Sequence, residues 1–250
     1  MPASASRAAR EALDALLRTD AAALGASLPA GFANAAEAYV RLLLDANRRI
    51  NLTRVVEPDA VARLHLLDAL AALPLLDSLG PRSAVDLGSG GGVPGIVLAI
   101  ARPSVRWLLV DSVAKKAAVL RSFVAELGLS SVAVSAERAE VLGRDSVHRE
   151  GHDLVTARAC AALPVLVEYA LPLLRVGGAL IAWKGAMTTR DREFVAGRAA
   201  AEAIGGEAPR LVDPAIAGIG DHRFVVVEKA SSTPDRFPRR PGVPLRRPLG

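Results

Sequence analysis

Residues Val85-Asp86-Leu87-Gly88-Ser89-Gly90-Gly91-Gly92-Val93-Pro94-Gly95 are the most informative stretch of this chain. The apolar run over 83–87 is typical of a buried strand, and it ends at the glycines. A second apolar run, over 96–101, follows Pro94, which suits a first helical turn because proline lacks an N–H that would be unpaired there. A strand, a glycine turn and a helix N-terminus together place unpaired backbone donors beside a gap without side chains. We therefore predict that this turn binds a ligand with a sugar and a polar or charged tail.

Two classes of cofactor fit a turn of this kind. Gly90, Gly92 and Gly95 match the G-x-G-x-x-G pattern of dinucleotide-binding folds, in which an acid about 20 residues further on meets the ribose of NAD. The same stretch, read from Asp86, matches D-x-G-x-G-x-G, the first motif of the class I S-adenosylmethionine (SAM) methyltransferases. A carboxylate at the strand end repels a pyrophosphate but attracts the ammonium and sulfonium groups of SAM. Asp86 therefore favours SAM over NAD.

The composition sets the broad class of the protein. With 250 residues, 51% of them hydrophobic, the chain can bury a large core, and we expect one α/β domain with an extension. No apolar run approaches the length of a membrane span, and the alanine-rich N-terminus lacks the hydrophobic centre of a signal peptide. The single cysteine, Cys160, excludes an internal disulfide and a cysteine-based metal site. We predict a cytoplasmic monomer that binds neither a membrane nor a metal ion.

The C-terminal tail has a composition of its own. The last twenty residues contain five arginines and five prolines against a single acid, so they carry most of the net charge of +5. Because proline interrupts helices and the segment has few large apolar residues, we predict that residues 231–250 are disordered. Two roles are open for this tail: a solubilising terminus, or a set of arginines that binds the phosphates of a nucleic acid.

Two kinds of hydrophobic spacing divide the rest of the chain. Residues 1–80 show helical spacing and predict an N-terminal helical segment, with helices at 5–25, 34–48 and 58–77. Over residues 81–230 strand-like and helical runs alternate, which is typical of a parallel sheet with crossover helices. The predicted strands are 83–87, 106–110, 131–134, 153–157 and 178–183, and the helices between and after them are 94–101, 113–127, 163–174 and 189–203.

Two further strands, near 209–212 and 223–229, close the alternating part. The segment from Asp213 to Asp221 that joins them is too short for a crossover helix, so we predict that they pair antiparallel. Seven strands with an antiparallel last hairpin are typical of the class I methyltransferase sheet and not of the usual dinucleotide-binding sheet. The ligand crevice of such a sheet lies at the carboxyl ends of its strands.

Several residues at these strand ends are candidates for the site. Asp111 ends the second strand, where a carboxylate accepts hydrogen bonds from ribose hydroxyls or caps the following helix. Arg158 ends the fourth strand and is predicted to point into the crevice. Lys184 ends the fifth strand, where it meets either solvent or the phosphate of an incoming nucleotide. Cys160 is predicted to pack in the core, because no histidine or acid partner is evident for a nucleophile.

A series of short motifs occurs in order along residues 35 to 229. They are Asn51-Leu52-Thr53, His65-x-x-Asp68, Asp86 to Gly95, Leu109-Val110-Asp111-Ser112, Arg138-Ala139-Glu140, Arg158-Ala159 and Lys184-Gly185. In this order they resemble the bacterial RsmG family, also called GidB. The resemblance implies a Rossmann-like, SAM-dependent enzyme that methylates guanine N7 in the decoding-site loop of 16S rRNA, in the small ribosomal subunit.

The resemblance also implies which residues bind the cofactor: SAM contacts at Gly88, Val93, Ala139, Glu140 and Arg158. The chain departs from the family pattern at Leu64 and Ala69, where arginine and serine are usual. His65 and Asp68 share one helical face, so they either pair locally or border the RNA cleft. We predict that the helical segment around them forms a wall of the RNA site.

No general base is evident at the predicted strand ends. Guanine N7 needs none, because it carries an in-plane lone pair and no proton and can attack the sulfonium methyl directly. Catalysis then consists of aligning donor and acceptor and excluding water, for which His65, Arg158 and Lys184 are candidates. Two alternatives stay open at this point: an NAD-dependent oxidoreductase, and a non-catalytic RNA-binding module with a methyltransferase-like fold.

Overall fold

The computed structural model describes residues 2–214, 216 and 219–250. Its N-terminal part is helical, as predicted, with α1 (Pro2–Leu24), α2 (Phe32–Asn47), α3 (Pro58–Val61), a π-helical turn (Ala62–Leu67), α4 (Asp68–Leu70) and α5 (Leu73–Leu79). The sequence predicts one helix over 58–77, but the observed helix is interrupted before α5, which has Pro74 in its first turn. Proline cannot donate the hydrogen bond that would continue the preceding helix.

The sheet has seven strands in the order β3-β2-β1-β4-β5-β7-β6. They are β1 (Ser83–Leu87), β2 (Arg106–Val110), β3 (Val132–Ser135), β4 (His152–Arg158), β5 (Leu174–Lys184), β6 (Arg210–Val212) and β7 (Arg223–Glu228). The first five are parallel, and β7 pairs antiparallel with both β5 and β6. The predicted seven-stranded sheet with an antiparallel last hairpin is therefore confirmed. Residues 215, 217 and 218 of the predicted loop between the last two strands lie outside the described residues.

The two faces of the sheet have separate hydrophobic clusters. The helices after the strands are α6 (Gly95–Ala101), α7 (Ala114–Glu126), α8 (Ala139–Leu142), α9 (Leu163–Ala170) and α10 (Arg192–Ile204). On one face the N-terminal helices pack with α6 and α7 in a single cluster that includes Leu43, Leu70 and Trp107. On the other face α9 and α10 cover residues such as Val155. Among the described residues no helix is both long and apolar enough to span a membrane.

The prediction of a disordered tail is wrong. Residues 231–250, named the C-terminal strap below, cross α8 and α9 and end against α10, with a short helix α11 (Val243–Arg246) near the end. Thr233 and Phe237 are buried, and Arg239 pairs with Glu168, which is fully buried. The composition shows only that the strap lacks a core of its own. It contains no information on the two features that hold the strap, which are the buried Glu168 of α9 and the hydrophobic cluster on that face of the sheet.

Candidate active site

The loop between β1 and α6 is shaped by glycine. Gly88 and Gly90 have φ angles of 70° and 58°, in the left-handed region that side chains disfavour. The N–H groups of Gly88 and Ser89 donate to the Val110 carbonyl oxygen at 2.9 and 3.0 Å, which joins the loop to the end of β2. A Cβ on Gly90 would meet no atom closer than 3.7 Å, so the space beside Gly90 is open.

Asp86 lies beneath this loop and is fully buried. One carboxylate oxygen accepts a hydrogen bond from Thr156 Oγ1 at 2.8 Å, and the other accepts the Gly95 N–H at 3.2 Å. Burial raises the pKa of Asp86 to about 6. Asp86 is predicted from the sequence as a cofactor-binding residue, but its side chain lines neither cavity of the site and connects β1 to β4 and α6.

Two cavities flank the glycine loop at the carboxyl ends of the strands. The Asp111 cavity has a volume of about 280 Å³ and is lined by residues including Asp111, Ala139, Glu140, Cys160 and Tyr169. The Arg158 cavity has a volume of about 200 Å³ and is lined by residues including Leu43, Leu52, Thr53, His65, Gly90, Val93 and Arg158. Both are lined by Gly88, Lys116 and Ala159, so they form one elongated cleft around the loop.

Asp111 follows β2 and connects the glycine loop to the start of α7. Its oxygens accept the Gly90 N–H and the Val113 N–H, both at 2.9 Å, so it fixes the glycine loop and the start of α7. The carboxylate is 7% exposed and lines the cavity. Each carboxylate oxygen has a second lone pair, which leaves acceptor capacity for ligand hydroxyls.

Glu140 also lines the Asp111 cavity. Its Oε1 accepts hydrogen bonds from Arg138 Nη2 at 3.0 Å and from the Gly242 N–H of the strap at 2.8 Å. Burial by itself raises the pKa of Glu140, but the hydrogen bonds from Arg138 and Gly242 outweigh it and lower the pKa below its usual value. The residue therefore places a fixed negative charge beside the cavity.

Arg158 enters the second cavity as predicted, but it is held from outside the sheet. Its guanidinium donates to Asp68 Oδ2 at 2.9 Å and to the Leu64 carbonyl oxygen, and lies 3.2 Å from His65 Nδ1. The other Asp68 oxygen is 2.8 Å from His222 Nδ1. Because Leu64 contributes only its backbone carbonyl, the departure from the family pattern at this position does not affect the contact.

The helical segment forms one wall of the Arg158 cavity. The Tyr39 hydroxyl of α2 donates to the Gly91 carbonyl oxygen at 2.9 Å, and Thr53 Oγ1 lies 2.8 Å from His65 Nε2. Burial and the neighbouring Arg158 lower the pKa of His65 to about 4, so its imidazole is neutral at neutral pH. The structure thus brings together three motifs that are up to about a hundred residues apart in the sequence.

Two residues, Lys184 and Cys160, are not placed as the sequence predicts. Lys184 Nζ donates to Glu193 Oε1 at 2.7 Å and to the Ala161 carbonyl oxygen at 2.8 Å, and Lys184 lines neither cavity. Its predicted contact with a phosphate is therefore not supported, since the ammonium is already paired with an acid of α10. Cys160 is exposed in the wall of the Asp111 cavity and not packed in the core, because the strand ends two residues before it.

Sequence reasoning missed two residues of this region. His222, in the loop before β7, pairs with Asp68 and joins Arg158 and His65 around it, a group named the Asp68 cluster. Tyr169 lines the Asp111 cavity from α9. Neither residue belongs to a motif, because tertiary packing alone brings His222 to Asp68 and Tyr169 to the cleft. Within the described residues, no group of three or more histidines, cysteines or acids is arranged to hold a metal ion.

The protein-family model for GidB, rRNA small subunit methyltransferase G, matches residues 33–208 of this chain. The chain belongs to the GidB family. A GidB relative, the ribosomal RNA small subunit methyltransferase G of Pelotomaculum thermopropionicum, is 41% identical over 214 residues, which cover 85% of this chain and 89% of the relative. The protein of the same name from Deinococcus radiodurans is 44% identical over 210 residues, which cover 83% of this chain and 82% of the relative.

Solved structures agree with the GidB assignment at the level of the fold. The O-methyltransferase from Bacillus cereus in complex with SAH is 18% identical with a TM-score of 0.55, over 87% of this chain and 100% of that chain. The SAM-dependent methyltransferase SibL in its apo form is 18% identical with a TM-score of 0.54, over 81% of this chain and 77% of that chain. The class I methyltransferase fold predicted for this GidB chain is therefore confirmed.

The Asp68 cluster of this GidB chain predicts a pH-dependent stability. The hydrogen bond to Asp68 raises the pKa of His222 above its ordinary 6.5. A raised histidine pKa stabilises the fold fully below pH 6.5, and this stabilisation fades as the pH rises through the raised value. We expect His222→Gln to lower the free energy of unfolding more at about pH 5.5 than at about pH 8.5. Urea unfolding at both pH values measures the difference, and an equal loss at both would contradict it.

Proposed function

We propose that this GidB chain transfers a methyl group from SAM to guanine N7 in the decoding-site loop of 16S rRNA. The observation that carries the proposal is the cleft around the glycine loop, made by the Asp111 and Arg158 cavities at the carboxyl ends of the strands. The GidB relatives named ribosomal RNA small subunit methyltransferase G support the small-subunit RNA as substrate.

The residues of the cleft fit an elongated, zwitterionic cofactor. At one end Asp111 offers carboxylate lone pairs to ribose hydroxyls, and Ala139 and Glu140, whose carboxylate pairs with Arg138, form part of the wall. In the middle, Gly88 and Gly90 present backbone without side chains, and a Cβ on Gly90 would occupy the open space. At the other end, Arg158 lines the cavity and retains N–H donors that Asp68, Leu64 and His65 do not use, so its guanidinium can bind a ligand carboxylate. Val93 lines the same cavity.

The protein contributes to methyl transfer by positioning the methyl donor and the acceptor base. When bound, SAM supplies a methyl group on a positively charged sulfur. Guanine N7 has no proton to remove, so the protein needs no strong base at the acceptor. His65, with its pKa lowered to about 4, is neutral and a weak base, which agrees with an acceptor of this kind. The Asp68–Arg158–His65 cluster and the helical wall then align the reactants and exclude water.

Methyl transfer to small ribosomal subunits and to naked 16S rRNA, with labelled SAM, tests this function. We expect one 7-methylguanosine in the decoding-site loop, identified by nucleoside mass spectrometry and located by reverse transcription. Methylation of another atom would refute the N7 assignment. Tight binding of NAD without SAM binding would support the oxidoreductase instead, and RNA binding without transfer would indicate a non-catalytic module.

Arg158 provides a residue-level test of the same proposal. We expect Arg158→Ala to lower kcat/KM for rRNA methylation by about tenfold or more, because cofactor and substrate lose part of their alignment. Arg175→Ala is the matched control, since it breaks the Arg175–Asp153 ion pair of 2.6 Å at the opposite end of the sheet. An Arg158→Ala variant that binds and transfers like the wild type would remove Arg158 from the site.

A further inference from the structure

The C-terminal strap is held on the protein by hydrogen bonds along its length. Arg144 Nε donates to the Pro238 carbonyl oxygen at 2.8 Å, and Arg149 donates to the Phe237 and Thr233 carbonyl oxygens, both at 2.9 Å. These arginines lie in the segment between α8 and β4. They satisfy backbone acceptors of a segment whose prolines allow little regular structure. The strap therefore has a defined path although its composition predicts disorder.

The strap passes directly behind the wall of the cofactor cleft. Arg239 donates to Glu168 of α9 through Nε and Nη2, at 2.9 and 2.6 Å, and the Gly242 N–H then meets Glu140. The last residue, Gly250, packs against Ala196 of α10, and α10 begins just after the carboxyl end of β5. The strap thus extends toward the edge of the sheet at which the cleft opens.

Exposed arginines of the strap can bind a ligand. Arg240, Arg246 and Arg247 are exposed, and none forms an ion pair within the part of the chain that the structure describes. Arg236 is also exposed, but its guanidinium lies 5.1 Å from the Phe237 ring centroid. The two acids that hold the strap already have arginine partners, since Glu168 pairs with Arg239 and Glu140 with Arg138. The result is a positively charged surface on an ordered backbone, so little conformational entropy is lost when it binds.

We propose that this surface binds backbone phosphates of the RNA substrate while the target base occupies the cleft. The inference rests on the proposed function, because that function requires RNA to bind at the neighbouring cleft. Guanidinium groups bind phosphate oxygens with paired hydrogen bonds, and each contact neutralises one backbone charge. A membrane surface fits less well, because Leu245 is the only large hydrophobic residue exposed among these arginines in the described structure.

The test is the triple variant Arg240→Ala, Arg246→Ala and Arg247→Ala, which keeps Arg239 and the docking of the strap. We expect its KM for rRNA and its Kd for a decoding-site RNA fragment to rise by about tenfold or more, with kcat and SAM affinity unchanged. The slope of log K against log salt should become shallower by about 2 to 3, since about three phosphate contacts are lost.

A second triple variant, Arg82→Ala, Arg106→Ala and Arg175→Ala, is the matched control. These exposed arginines lie at the amino ends of β1, β2 and β5, at the edge of the sheet opposite the cleft, and their removal changes the net charge equally. Equal loss in both variants, or wild-type RNA affinity in the strap variant, would overturn the inference.

Two further outcomes separate the inference from the proposed function. Wild-type methylation with an unchanged KM in the strap variant rejects only the strap surface. Strap-dependent RNA binding by a wild-type protein that transfers no methyl group rejects only the enzymatic function. Strap-dependent binding to vesicles of anionic lipid, with RNA binding unaffected, assigns the surface to membranes and overturns the proposal.

Discussion

We expect the Gly90→Val variant to fold and to lose at least about 1,000-fold in SAM affinity, which corresponds to about 4 kcal/mol of binding free energy. A side chain at Gly90 has no protein atom closer than 3.7 Å to its Cβ, so it grows into the Arg158 cavity and not into the core. The backbone cost of valine at a φ of 58° is about 1–3 kcal/mol, which a domain of this size tolerates. Isothermal titration with SAM measures the loss, and circular dichroism reports the fold.

Gly128→Val is the control for backbone strain in this experiment. Gly128 has a φ of 63° and open space around its Cβ position, and it follows α7 away from both cavities. Both variants therefore place valine at a positive φ, but only Gly90→Val places it in the cofactor cleft. Only Gly90→Val should lose affinity for SAM. Retained SAM affinity in Gly90→Val would reject the glycine loop as the centre of the cofactor site.

We expect Arg239→Ala to lower the free energy of unfolding by about 3–5 kcal/mol, because it leaves Glu168 buried without a charged partner. Glu168 is fully buried, and three donors of Arg239 reach it: the backbone N–H at 2.8 Å, Nε at 2.9 Å and Nη2 at 2.6 Å. For a chain of this length the loss lowers Tm by about 6–20 °C. Urea denaturation and thermal unfolding measure it.

Two variants test the cause of that loss. The double variant Arg239→Ala with Glu168→Gln should regain part of the stability, because no unpaired carboxylate is then buried. Arg236→Ala, which removes an exposed arginine 5.1 Å from the Phe237 ring centroid, should cost about 1 kcal/mol or less. A loss below 1 kcal/mol in Arg239→Ala would show that the strap contributes little to the fold.

Most of the fold can be predicted from the sequence. Alternating strand and helix periods predict all seven strands within a few residues, except for the early start of β5 at Leu174. The short connection before the last strand predicts its antiparallel pairing, because chain length alone excludes a crossover helix. The glycine loop and Asp111 are also predicted correctly as parts of one crevice, since the carboxyl ends of parallel strands meet at one edge.

The features that follow from the sequence are therefore local: the order of the elements, the glycine turn without side chains, and the residues at the strand ends. Three other features depend on the folded chain: Asp86 points inward to Thr156, Lys184 pairs with Glu193, and the strap docks on Glu168. They cannot be predicted locally because the partners in each pair are brought together by packing. Each charged group pairs with a partner that packing brings close to it. Hydrophobic periodicity in the sequence does not indicate which residue that partner is.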